Sequence, residues 1–157
     1  MRALHLVAIP QLTGAAEPAL DLVRGLRGLG VEVDLRIDTL RPGNLAALLE
    51  GAGETVARDM LRLRRLLPRY DVVYAHLSHD HALAALALGS RPRPVLVRTV
   101  HAARGIAPGF GRRWVLNKAR GITVASERHR QQLAETHQID PARAGVAGLG
   151  GCESFSS

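Results

Sequence analysis

The sequence has 157 residues, 46% hydrophobic and 22% charged, which is enough for one real hydrophobic core and too apolar for a disordered chain. Its longest uninterrupted apolar run, Ala82 to Leu88, falls far short of the roughly 20 residues that span a bilayer, so no transmembrane helix is expected. The formal charge of +7 does not by itself point to nucleic acid: Lys118 is the only lysine and aromatic residues make up 3%, leaving little to stack on bases.

At the N-terminus, Arg2 and the run Leu4 to Ile9 imitate a signal peptide, but Pro10, Gln11 and Thr13 close the run without a small-residue cleavage site. The lone Cys152 can form neither an internal disulfide nor a cysteine-based zinc site. Both features fit a cytoplasmic protein.

In chain order, Leu4 to Ile9 reads as a strand buried on both faces. Leu20, Val23, Leu26 and Leu29 then follow at helical spacing. Glu17 and Pro18 stand in the first turn of that helix and Gly30 ends it. Val31 to Asp38 alternates strictly and predicts a strand with one face less covered. Pro42, Gly43, Gly51 and Gly53 mark a looser region, with a turn of helix over Leu45 to Leu49. From about Thr55 a helix carries Val56, Met60, Leu63 and Leu67 on one face and Arg58, Arg62, Arg65 and Arg69 on the opposite one, and Pro68 stops it. Strands follow at Asp71 to Ala75, Val95 to Val97, Ile122 to Val124 and, weakly, Gly145 to Ala147. Helices fall between them at Ala82 to Leu88, around Trp114 to Ala119, and from Glu127 to Thr136 with Ser126 as cap.

This alternation predicts an α/β, Rossmann-like three-layer domain with a mainly parallel sheet of about six strands. Ligands of such sheets bind beyond the carboxyl ends of the strands, near the point where strand order reverses. Gly14 lies there, between the first strand and first helix. Ile9 to Glu17 nevertheless contains neither G-x-G-x-x-G nor G-x-x-x-x-G-K-[ST], so neither the dinucleotide fingerprint nor the P-loop is present. Gly14 either lets a ligand approach the backbone or merely relieves a tight turn.

His76, His79, Asp80 and His81 cluster beyond the third strand, and imidazole with carboxylate is a normal zinc ligand set. Their spacing matches neither the H-x-H-x-D-H of binuclear hydrolases nor the helical H-E-x-x-H. His79 and His81 would also point in different directions at the start of a helix. The alternatives are solvated loop histidines or one substrate contact from His76. His101 ends the fourth strand on the same sheet edge, where its imidazole can bond a sugar hydroxyl or, if charged, face a phosphate. Arg98, inside an otherwise apolar strand, reaches either the edge or a partner acid. The arginines at 58, 62, 65 and 69 are either a solvated outer face or a contact with anionic headgroups.

Taken together, these motifs resemble the N-terminal domain of a GT-B glycosyltransferase of the family 4, or group 1, type. Gly14-Ala15-Ala16-Glu17 stands where that family has a G-G-x-E-like loop, and Gly30-Val31-Glu32-Val33 where it has G-H-E-V. Asp71 to His76 matches D-V-V-x-x-H, Thr99-Val100-His101 matches T-x-H, and Ala125-Ser126-Glu127 matches the element opening a late helix. Two departures stand out: the second glycine of the loop is Ala15, and the usual N-G-V-D reads Leu149-Gly150-Gly151-Cys152.

The resemblance implies retaining transfer of a sugar from a nucleotide-sugar donor to a sugar, glycan or lipid acceptor. Residues 1–150 would form the acceptor-side domain and residues 151–157 the start of a linker or tail. The nucleotide-sugar-binding domain would lie outside this chain, in cis or in trans. His101 would be the catalytic contact to the transferring sugar, and Gly14, Ala15, His76 and Arg104 would bind substrate. The resemblance implies no resident cofactor or metal, the donor being a co-substrate, and the low aromatic content argues against nucleic acid. The isolated chain is expected to turn over little or nothing. It would be cytoplasmic, with Arg58, Arg62, Arg65 and Arg69 either solvated or in peripheral contact at the inner membrane face. Two rivals are a non-catalytic Rossmann-like binding module and a hydrolase holding a metal on His76, His79, Asp80 and His81. A phosphorylation-receiver domain is excluded, because Ile9-Pro10 offers no acidic pair and Ala75-His76 no phosphoacceptor aspartate.

Overall fold

The computed structural model describes residues 1–9, 16–37, 60–101, 106–109 and 111–146. Its strands are β1 (Arg2–Val7), β2 (Glu32–Ile37), β3 (Val72–Ala75), β4 (Val95–Val100), β5 (Gly121–Val124) and β6 (Ala144–Val146). Its helices are α1 (Glu17–Gly28), α2 (Met60–Leu66), α3 (Ser78–Leu88), α4 (Arg112–Lys118) and α5 (Glu127–His137). The strands form one sheet in the order β2-β1-β3-β4-β5-β6, and every pairing is parallel. Parallel neighbours cannot be joined by a tight hairpin, which is why helical patterns separate the strands in sequence.

The period-two alternation of β1 divides the core. Leu4 and Leu6 pack with Leu63 and Leu67 of the α2 region, Ala84 and Leu88 of α3, and Leu96 of β4. Ala3 and Val7 instead pack with Ala19, Leu20 and Val23 of α1 and with Val33, Leu35 and Ile37 of β2. A third cluster gathers Val100, Ile122 and Val124 beneath Leu116 of α4 and Leu133 of α5. Each fully buried leucine contributes about 2 kcal/mol from surface removed from water.

Local chemistry fixes the element ends. Pro18 and Glu17 occupy the first turn of α1, and Gly30 takes φ 76° beyond its end, a left-handed conformation that glycine adopts without strain. The Ser126 hydroxyl accepts the His129 N–H at 3.3 Å and caps α5. The edge of the sheet is pinned by polar contacts: Arg2 donates to Asp34 at 3.0 Å, and the Tyr70 hydroxyl donates to the same carboxylate at 2.5 Å.

Several sequence expectations are corrected. Helix α3 begins at Ser78 rather than Ala82, so His79, Asp80 and His81 are helical; Asp80 suits the first turn of a helix and is anchored there to β1. Strand β4 runs from Val95 to Val100, with Arg98 inside it and His101 just past its end, as the sequence suggests. Leu29 is 81% exposed, since α1 stops at Gly28 and the chain turns at Gly30. Met60 is exposed rather than facing the core, while Leu63 and Leu67 are fully buried as expected. The expected turn of helix at Leu45 to Leu49 lies outside the described residues, as do Val56 and Arg58. Among the described residues no helix is long and apolar enough to cross a membrane.

Candidate functional site at the carboxyl ends of the strands

Strand β1 lies between β2 and β3, so the order of the chain reverses there and the carboxyl ends of β1 and β3 flank a crevice. The backbone N–H of Ala8, just past β1, donates to Asp80 Oδ2 of α3 at 3.1 Å. The N–H of His76 donates to the Leu6 carbonyl at 3.2 Å, carrying the β1–β3 ladder one residue further. Leu6, Val7, Ala8, Arg36, Leu63, Asp80 and Leu83 enclose a cavity of about 10 Å³, room for no more than a water.

A row of rings crosses the sheet beside this crevice. His5 is paired in register with Tyr74, their rings 4.6 Å apart. His5 Nδ1 and His76 Nε2 are 3.0 Å apart and share a hydrogen bond, and the His76 ring lies 5.9 Å from that of His101. Alternation in β1, together with the register, therefore sets His5 from inside β1 beside His76 and His101, which stand just past the ends of β3 and β4. Downstream of β4, the buried His137 ring of α5 meets the Ile106 carbonyl at 2.7 Å and ties the segment after His101 to the last helix.

The electrostatics keep these rings neutral. Burial, with Arg27 as a lesser cause, lowers His5 to about 4. Burial and then His5, His101 and Arg98 push His76 well below the ordinary histidine range. His81 falls to about 3 through burial and Arg98, and the same two causes lower His101. At neutral pH they are therefore neutral rings rather than cations. Arg98 stays charged although burial lowers it to about 10; it donates to the Ala75 carbonyl at 3.3 Å and to Ser78 Oγ at 3.0 Å, joining the end of β3 to the start of α3. Burial raises Asp80 to about 6, against the opposing pull of the Ala8 N–H, His79 and Arg98.

The structure brings His76 and His101 together. Gly14, Ala15 and Arg104 lie outside the described residues. The His76, His79, Asp80 and His81 set does not converge: His79 is exposed and lies 3.7 Å from the buried Asp80, His81 is buried in the helix, and His76 is engaged by His5. Among the described residues no three His, Cys, Asp or Glu side chains are grouped to hold a metal ion. His76 and His81, only 2% exposed each, are not solvated loop histidines. The pattern reading missed His5 and Ser78. A histidine inside the apolar run Leu4 to Ile9 was the available signal for the first, since a buried polar ring needs a partner. Atoms His76 Nδ1 and His101 Nε2 are buried with no hydrogen-bond partner among the described residues.

A family model described as Glycosyltransferase Family 4 matches residues 12–150. No curated protein matches the sequence. Among solved structures, HepE of Anabaena in complex with UDP-glucose superposes with a TM-score of 0.74 at 16% identity, over 96% of this chain and 44% of that one. HepE in complex with UDP gives 0.73 at the same identity and coverage. An alpha-glucosyltransferase in complex with UDP and a 13-mer DNA containing an HMU base gives 0.66 at 13% identity, over 94% of this chain and 41% of that one. At these identities the likeness shows the fold, and the chain spans less than half the length of these structures.

Proposed function

Because the chain belongs to Glycosyltransferase Family 4, we propose that it forms the acceptor-side half of a retaining glycosyltransferase. A sugar passes from a nucleotide-sugar donor to an acceptor, and a second domain, in cis or in trans, holds the nucleotide. The observation that carries this reading is the meeting of His76 and His101, their rings 5.9 Å apart, at the strand ends next to the order reversal. A ligand-facing edge of an α/β sheet is where such a transfer would be assembled.

In this reading His101, neutral through burial and the nearby Arg98, accepts or donates a hydrogen bond at a hydroxyl of the transferring sugar. His76, fixed by its bond to His5, binds substrate beside the His101 ring. Gly14, Ala15 and Arg104 are assigned to substrate binding through the family resemblance. The nucleotide-sugar is a co-substrate, and the proposal includes no resident cofactor.

His101→Ala tests the assignment. In the assembled enzyme, turnover should fall about 10- to 100-fold, the worth of one or two strong hydrogen bonds to substrate, with an unchanged far-ultraviolet dichroism spectrum. Unchanged turnover would remove His101 from the site.

A further inference from the structure

His5 lies inside β1 and is fully buried, on the face where Ala3 and Val7 pack beneath α1. Its Nδ1 is 3.0 Å from His76 Nε2, while the two ring centroids are 5.2 Å apart with planes 24° from parallel. Centroids that much farther apart than the nitrogens put those atoms on facing ring edges. The N–H and the lone pair of an imidazole lie in the ring plane, so one ring is aimed to donate and the other to accept. The backbone of His76 is fixed to β1 as well, through its N–H to the Leu6 carbonyl at 3.2 Å.

Burial keeps both rings neutral at neutral pH, so each carries one ring proton and the pair has two arrangements. In the first, His76 Nε2–H donates and His5 keeps its proton on Nε2. In the second, His5 Nδ1–H donates and His76 keeps its proton on Nδ1. Both leftover atoms, His5 Nε2 and His76 Nδ1, are buried without a partner among the described residues. Buried N–H groups without an acceptor are rare in native proteins because they cost the full desolvation of the donor. The first arrangement strands such a group inside β1, next to the Tyr74 ring, whose plane lies 20° from parallel and offers an in-plane N–H no acceptor. The second leaves it on His76, just past the end of β3, at the sheet edge where ligands of such folds bind.

We propose that His5 is a positioning residue: its Nδ1–H fixes the ring and tautomer of His76, so that His76 Nδ1–H is a dedicated hydrogen-bond donor to a substrate oxygen. Which nitrogen of a histidine carries the proton is set by the bond that the other makes. The donation to substrate rests on the transferase reading above; the tautomer does not.

Nitrogen–proton correlation of the histidine rings by nuclear magnetic resonance, on the 157-residue chain at neutral pH, reads both tautomers directly. His5 and His76 should each show a protonated Nδ1 and a bare Nε2. His5→Phe keeps a flat ring beside Tyr74 but has no N–H, and should abolish the fixed Nδ1–H form of His76. His5→Asn, whose amide supplies an N–H close to the same place, should restore it. In the assembled enzyme, given a panel of nucleotide-sugars and an acceptor mixture, H5F should lower sugar transfer about tenfold, as for one lost hydrogen bond to substrate, and H5N should recover most of it. A protonated Nε2 on His76 of the native chain overturns the proposal without any variant having to fold. A His76 tautomer or a transfer rate unmoved by H5F overturns it equally. Absence of transfer by the native assembly would contradict the transferase reading, and with it the donation to substrate, while the spectrum alone still decides the tautomer.

Discussion

Buried histidines within and beside the parallel sheet are held as neutral rings, which makes stability depend on pH. His5, lowered to about 4, and His81, lowered to about 3, take up protons more readily when unfolded, where histidine titrates near 6.5. Their contribution is therefore complete above about pH 6.5 and is lost as the pH falls toward their folded values. His76 and His101 act in the same direction. Asp80, raised to about 6, acts oppositely: its contribution is present below its unfolded value and is lost as pH rises through about 6. Four histidines outweigh one carboxyl, so urea unfolding should show stability falling by on the order of a few kcal/mol between pH 7 and pH 4.5. A flat profile over that window would mean that these rings are solvated. The individual roles of His5 and Asp80 were not legible in the sequence, because both depend on which strand lies beside β1. His5 gains its meaning only from the β1–β3 register that sets it against Tyr74 and His76.

At the scale of elements the sequence was a good guide wherever a local signal existed. Ser126 was readable as a cap and caps α5, and Pro68 falls in the 3₁₀ turn that ends the α2 region. Ser126→Ala should cost about 1 kcal/mol, the usual worth of a helix cap, visible as a lower urea midpoint with an unchanged slope; no change would show that the 3.3 Å contact contributes nothing. Periodicity was less reliable at helix margins. Leu29 and Met60 continue the apolar spacing yet are exposed, because a pattern cannot show where the opposing sheet ends. The start of α3 was hidden for a related reason. The apolar pattern starts only at Ala82, and the polar Ser78 to His81 does not show that Asp80 and His81 are buried, with Asp80 bonded to Ala8 and Arg98 supporting the turn through Ser78.

For the molecule as a whole, the β2-β1-β3-β4-β5-β6 order gathers at one edge residues from three strands that are far apart in sequence. The α/β class followed from the repeated alternation of patterns, and the family resemblance from motifs at strand ends. The strand order that puts β1 at the reversal point needed the tertiary pairing. With His76 and His101 on that edge, and a family model that matches residues 12–150, the account makes this domain one half of a transfer site. In that proposal a second domain, in cis or in trans, holds the nucleotide. The most direct measurement is turnover of a nucleotide-sugar by the purified 157-residue chain, with an acceptor mixture present and no second polypeptide. The account predicts little or no sugar transfer or donor hydrolysis. Robust turnover by this chain alone would contradict it, because the donor site would then have to lie within these residues.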